Sequence, residues 1–143
     1  MQFEIDKTKW SASSQRSLGR YDERARYYED LSFRCTKCER SFLFTAAQQK
    51  EAFEERKEYV RRYPTLCQSC AAQRELLLAT LKECQSAWVL HKDALSHDRT
   101  FLERWRVALR EIASYGRKGS NPSVVTMLSR LLQELPQSAS SNA

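Results

Sequence analysis

The chain has 143 residues, 41% hydrophobic and 29% charged, enough for one domain with a lean core or for a small module plus an extension. With 3 Gly and 3 Pro it is poor in tight-turn residues, so helices should dominate. No apolar run approaches the roughly 20 residues of a membrane helix, and a formal charge of +6 permits nucleic-acid binding without demanding it.

Residues 1–27 read as a polar, irregular N-terminal arm. Met1 to Lys7 lacks the apolar run of a signal peptide, so a reducing, cytoplasmic location is expected. Tyr21, Tyr27 and Tyr28 lie among Arg20, Arg24, Arg26 and the acids Asp22, Glu23, Glu29 and Asp30. Basic and aromatic residues together can stack bases and hold phosphates. Here the acids nearly cancel the bases, so an arm whose tyrosines pack onto the following module is the preferred reading.

Leu31-Ser32-Phe33-Arg34 and Ser41-Phe42-Leu43-Phe44 alternate as two short strands. Between them sits Cys35-x-x-Cys38. Thr45 and Gln48 form a capping box that should start a helix from Ala46 to about Arg62, ended by Tyr63-Pro64. Ala46, Phe53 and Val60 give it one narrow apolar stripe.

A second pair, Cys67-x-x-Cys70, follows Cys38 after 28 intervening residues. Two such pairs are the pattern of a four-thiolate zinc site, because two intervening residues let both sulfurs of a pair reach one ion about 2.3 Å away. One Zn²⁺ per chain with Cys35, Cys38, Cys67 and Cys70 as ligands is therefore expected. Disulfides would need an oxidising compartment, and thioredoxin-like redox chemistry would want one pair in a βαβ pattern. Four thiolates with Zn²⁺ lower the net charge from +6 to about +4. They fill the tetrahedron, so the site is structural and not catalytic. Ala71 to Leu78 is strongly helix-forming, which puts the second pair at a helix N-terminus where the dipole favours thiolates. Knuckle, hairpin and helix in that order make a treble clef.

Residues 28 to about 74 also resemble a family of small proteins described as having a probable zinc-ribbon or treble-clef domain. The resemblance lies in Tyr28-Glu29-Asp30, Phe33, Cys35-x-x-Cys38, Phe42-x-Phe44-Thr45-Ala46, Gln48-Gln49, Cys67-x-x-Cys70 and Arg74. It implies the same four zinc ligands and no enzymatic activity. The family often has Gly directly after the second cysteine, where this chain has Glu39. Gly eases a left-handed backbone at that turn, so Glu39 implies strain or a different knuckle.

From Leu77 the apolar positions Leu77, Leu81, Cys84, Trp88, His91 and Leu95 step by four and three. A break near Ser96-His97-Asp98, then a capping box at Thr100 and Glu103, leads to a helix carrying Leu102, Trp105, Leu109 and Ile112. The two stripes suit an antiparallel helical hairpin about 30 Å long. Gly116 and Gly119 mark a loop, and Asn121-Pro122 starts a last amphipathic helix through Val124, Val125, Leu128, Leu131, Leu132 and Leu135, closed by Pro136. Cys84 and His91 read as packed residues, and His97 as a loop residue.

The expected organisation is mainly α with a small β-hairpin: an arm (1–27), a four-cysteine zinc module (28–75), a helical extension (76–136) and a Ser-rich disordered tail (137–143). Two functions compete. One is a protein-interaction adaptor that holds an unknown protein, or a second copy of itself, through the C-terminal helices. The other is nucleic-acid binding through Arg61, Arg62, Arg99, Arg106 and Arg110, of which Arg99, Arg106 and Arg110 share one helix face. No Ser-His-Asp, Cys-His or paired-carboxylate arrangement points to an enzyme or a small-molecule substrate, and no membrane partner is expected.

Overall fold

The fold was analysed in a computed structural model that describes residues 1–136; the expected tail lies outside the described residues. The chain divides into two units, Met1–Cys67 and Gln68 onward.

In the first unit, β1 (Leu31–Arg34) and β2 (Ser41–Phe44) pair antiparallel, with Leu31 opposite Phe44 and Phe33 opposite Phe42. This is the hairpin the alternation predicts. Residues 1–27 are more ordered than their composition indicated. Ser11 caps a short helix, α1 (Ala12–Ser17), and Glu4 bridges to Tyr27. Two of the three tyrosines pack onto the module: Tyr21 and Tyr28 are buried with Phe44, Phe53 and Val60, whereas Tyr27 is exposed. Trp10, unremarked in the sequence, joins them and stacks edge-on to Phe53 at 6.4 Å.

Three buried polar side chains stitch this unit. Ser14 Oγ accepts from Val60 N at 3.0 Å. Gln49 accepts from Tyr21 Oη at 2.5 Å and donates to the carbonyls of Glu29 (2.6 Å) and Phe44 (3.0 Å). Glu54 accepts from Tyr28 Oη at 2.8 Å, Asp6 N at 3.1 Å and Lys50 Nζ at 3.0 Å. Burying such groups costs several kcal/mol unless they are paired, and here each is.

Helix α2 starts as predicted, with Thr45 and Gln48 forming the capping box. It ends early. Ala46–Lys50 is α-helical, Glu51–Glu55 forms a π turn, and Lys57 turns left-handed at φ 58°. The expected run to Arg62 is therefore wrong, and Tyr63-Pro64 is not its terminator. The π turn places Ala52, Phe53 and Glu54 together in the interior, which an uninterrupted α-helix with a single narrow stripe would not do. Val60 is buried, but from the following loop.

The second unit is helical. Helix α3 (Gln68–Leu95) leaves helical geometry at His91 (φ −133°, ψ 35°). The stripe Leu77, Leu81, Cys84 and Trp88 packs as expected. His91 does not: it is exposed, because the backbone has turned away from the stripe. Ser96 and His97 form the turn. Helix α4 (Arg99–Ala113) is capped by Asp98, whose carboxylate accepts from Phe101 N at 3.2 Å, so Thr100 is not the cap. Asn121 caps α5 (Pro122–Glu134), with Pro122 at its start. Leu102, Ile112 and Leu128 are fully buried at its centre, so the hairpin itself covers much of the apolar face of α5. Among the described residues no helix is long and apolar enough to cross a membrane.

Candidate metal centre

Each cysteine is placed by local backbone. Cys35 ends β1's path into the turn, where its amide donates to Arg40 O and its carbonyl accepts from Glu39 N, both at 2.9 Å. Thr36 N donates to Thr65 O at 2.9 Å, which draws the loop before the second pair against the knuckle. Cys67 directly precedes α3, and Cys70 lies in its first turn. The position after Cys38 adopts the left-handed backbone that glycine would favour, with Glu39 at φ 66°. The carbonyl of Glu39 accepts from Arg34 Nε at 3.1 Å, which holds the turn.

The four sulfurs converge. All lie within 4.8 Å of one another, and those of Cys38 and Cys67 are 3.8 Å apart. Four sulfurs at 2.3 Å from one zinc form a tetrahedron with edges of about 3.8 Å. That pair therefore already stands at the coordination distance. It is far beyond the roughly 2.05 Å of a disulfide, and no cysteine among the described residues is in one. Cys35 and Cys70 are buried, while Cys38 is exposed. Burial opposes ionisation of the Cys35 thiol, yet the amides of Cys38, Cys67 and Lys37 together outweigh it and hold the group down to about 6. The donor set fits a thiophilic dication of tetrahedral preference. When bound, zinc would link the knuckle to the start of α3 and add its binding free energy to folding. Cys84 stands apart on α3, buried in the helical core, where burial pushes its thiol up.

The arginines of the expected basic set have different local surroundings. Arg61 donates from Nε to Ser17 Oγ, and Arg62 is exposed. Arg99 Nη2 lies 3.4 Å from the carbonyls of Leu132 and Leu135 and 3.3 Å from that of Pro136, at the C-terminal end of α5. Arg106 turns toward the same helix, 3.4 Å from Ser129 Oγ. Of the three expected to line one face, Arg110 is exposed and Arg99 and Arg106 are half-buried.

Several residues that carried the family resemblance prove structural. Asp30 Oδ1 accepts from Ala46 N at 2.7 Å, and Gln49 ties the carbonyls of Glu29 and Phe44 together. Residues 29–76, a third of the chain, match the family described as "Probable treble clef domain". No curated protein and no solved structure matches the chain. The segment is a treble clef domain, and its four clustered cysteines are positioned to bind one metal ion as a structural zinc site requires.

Proposed function

We propose that this treble-clef protein is a non-enzymatic, zinc-stabilised adaptor that binds another protein, with Cys35, Cys38, Cys67 and Cys70 holding the zinc. Four thiolates occupy every position of a tetrahedral ion, so the centre offers no coordination site for water or substrate. Its role is to fix the hairpin and the start of α3.

The observation that carries the adaptor reading is the division of labour between charge and apolar surface. Arg99 and Arg106 each lie 3.4 Å from an acceptor on α5, which favours the adaptor reading over a row of arginines free to follow a phosphate backbone. Meanwhile α3 leaves the adjacent Val89 and Leu90 at least 70% exposed, with Val89 on the rim of an apolar groove, and contiguous exposed apolar surface marks interaction sites. Titration of the full chain with labelled single- and double-stranded oligonucleotides over a range of salt tests this. The reading predicts binding no tighter than the roughly 10⁻⁴–10⁻⁶ M of non-specific contact, unaffected by Arg62→Ala or Arg110→Ala. Tight binding that falls steeply with salt, and is weakened by those substitutions, would refute it.

A further inference from the structure

The helical unit has an apolar groove that its own core does not close. Leu78, Leu81, Trp88, Trp105, Leu109 and Met127 line it, around a volume of about 380 Å³. Along α3 it runs from Leu78 to Val89, a span of 11 residues, or about 16 Å at 1.5 Å per residue. That is the length of three turns of a second helix. Gly119 closes one end. A β-carbon there would come 2.8 Å from Leu78 Cδ2, and its φ of +81° suits glycine.

Basic residues line or adjoin the groove. Lys82 lines the groove and is the one charged residue that does among the described residues. Lys92 reaches over the Trp88 ring at 6.0 Å. Arg117 and Lys118 immediately precede Gly119 in the chain and are exposed. The ion pairs among the described residues use none of these four, whereas Arg104 on the α3–α4 pair is matched by Glu83 at 3.2 Å.

We infer that this groove receives an amphipathic helix from another protein, its apolar stripe seated on Trp88 and Trp105 and its flanks acidic against Lys82, Lys92 and Lys118. The inference deepens the adaptor reading and rests on it. Helix-in-groove recognition needs apolar anchors at i, i+3 or i+4, and i+7, and a rim of complementary charge selects the partner. A second copy of this chain does not supply that chemistry. Helix α3 carries equal numbers of acids and bases, α4 has a basic excess, and α5 is balanced by Arg130 and Glu134. Residues 137–143 contain no acid and no large apolar side chain.

The test uses the full zinc-loaded chain and three synthetic helical peptides that lack tryptophan. One has a leucine stripe flanked by glutamates, the second has the glutamates replaced by lysines, and the third has the leucines replaced by serines. Binding is read by peptide anisotropy and by the emission of Trp88 and Trp105. The acidic leucine peptide should bind, and the other two should bind at least about tenfold more weakly. Lys82→Glu with Lys92→Glu should weaken the acidic peptide by a similar factor and improve the basic one. Val89→Asp should weaken both; all three positions are exposed, so the melting temperature should not move. Equal affinity for the acidic and basic peptides, no binding of either, or concentration-dependent self-association that these substitutions abolish would overturn the proposal. If the acidic peptide fails while the chain still ignores oligonucleotides, the groove assignment falls and the adaptor reading stands. Tight, salt-sensitive oligonucleotide binding would remove both.

Discussion

Tyr28→Phe removes one oxygen from the centre of the first unit. That oxygen accepts from Trp10 Nε1 at 2.8 Å and donates to Glu54 Oε2 at 2.8 Å. Trp10 and Tyr28 are 3% and 4% exposed and Glu54 is 4% exposed, so water cannot easily replace it. The substitution strands the indole N–H, at a cost of about 1–3 kcal/mol for a buried unsatisfied donor. The carboxylate also loses a charge-assisted bond, which would be worth about 1.5–3 kcal/mol alone. Asp6 N at 3.1 Å and Lys50 Nζ at 3.0 Å remain on Glu54, so that second loss is partial. The net expectation is about 2–4 kcal/mol. For a unit of this size each kcal/mol moves the melting temperature by about 4–8 °C, so the loss is easily resolved by urea titration with zinc held fixed. Trp10→Phe removes the stranded donor, and the double variant Trp10→Phe, Tyr28→Phe should cost clearly less than the sum of the singles. A loss below about 1 kcal/mol for Tyr28→Phe, or strict additivity, would refute the buried network as the tie between the N-terminal residues and the hairpin.

Further expectations follow from single residues. Glu39→Gly should stabilise the zinc-loaded chain by about 0.5–1 kcal/mol, because glycine accepts φ 66° without steric cost; an unchanged or lower melting temperature would show the turn is unstrained. Arg99→Ala should lower stability by about 1–2 kcal/mol through the carbonyls at the end of α5, whereas Arg110→Ala should change it by less than about 0.5 kcal/mol in the same melts. Cys84→Ser should leave metal content unchanged while costing about 1–3 kcal/mol for a buried hydroxyl. The raised Cys84 thiol favours the neutral form in the fold, so that contribution is present below the ordinary thiol range and lost as pH climbs through the raised value. Iodoacetamide should therefore leave Cys84 unmodified at neutral pH in the folded chain, as mass mapping would show.

The parts legible in the sequence are those determined over a few residues. Strand alternation at Leu31–Arg34 and Ser41–Phe44, the box at Thr45 and Gln48, Pro122 after Asn121 and the two cysteine pairs each carry their own local signal, and the structure has them in place. What was misread depends on contacts between distant segments. The charges of Glu54, Glu58 and Arg62 keep helical spacing past the point where the chain leaves the helix, and Glu54 is interior because Tyr28, Asp6 and Lys50 converge on it. Trp10 lies among serines and lysines, with no periodicity to mark it for burial beside Phe53. His91 extends a regular stripe by position, but the helix bends where it stands. The spacing of Arg99, Arg106 and Arg110 likewise gives no sign that the C-terminal carbonyls of α5 lie within reach of Arg99.

The most direct test of the account is the zinc content of the purified chain, measured by elemental analysis under reducing conditions. The convergence of Cys35, Cys38, Cys67 and Cys70 predicts one zinc per chain. That zinc should be lost, together with the fold of the hairpin unit, when Cys35 or Cys70 becomes serine. A folded chain with no zinc and four freely reactive thiols, or a Cys70→Ser variant that keeps both metal and fold, would contradict it.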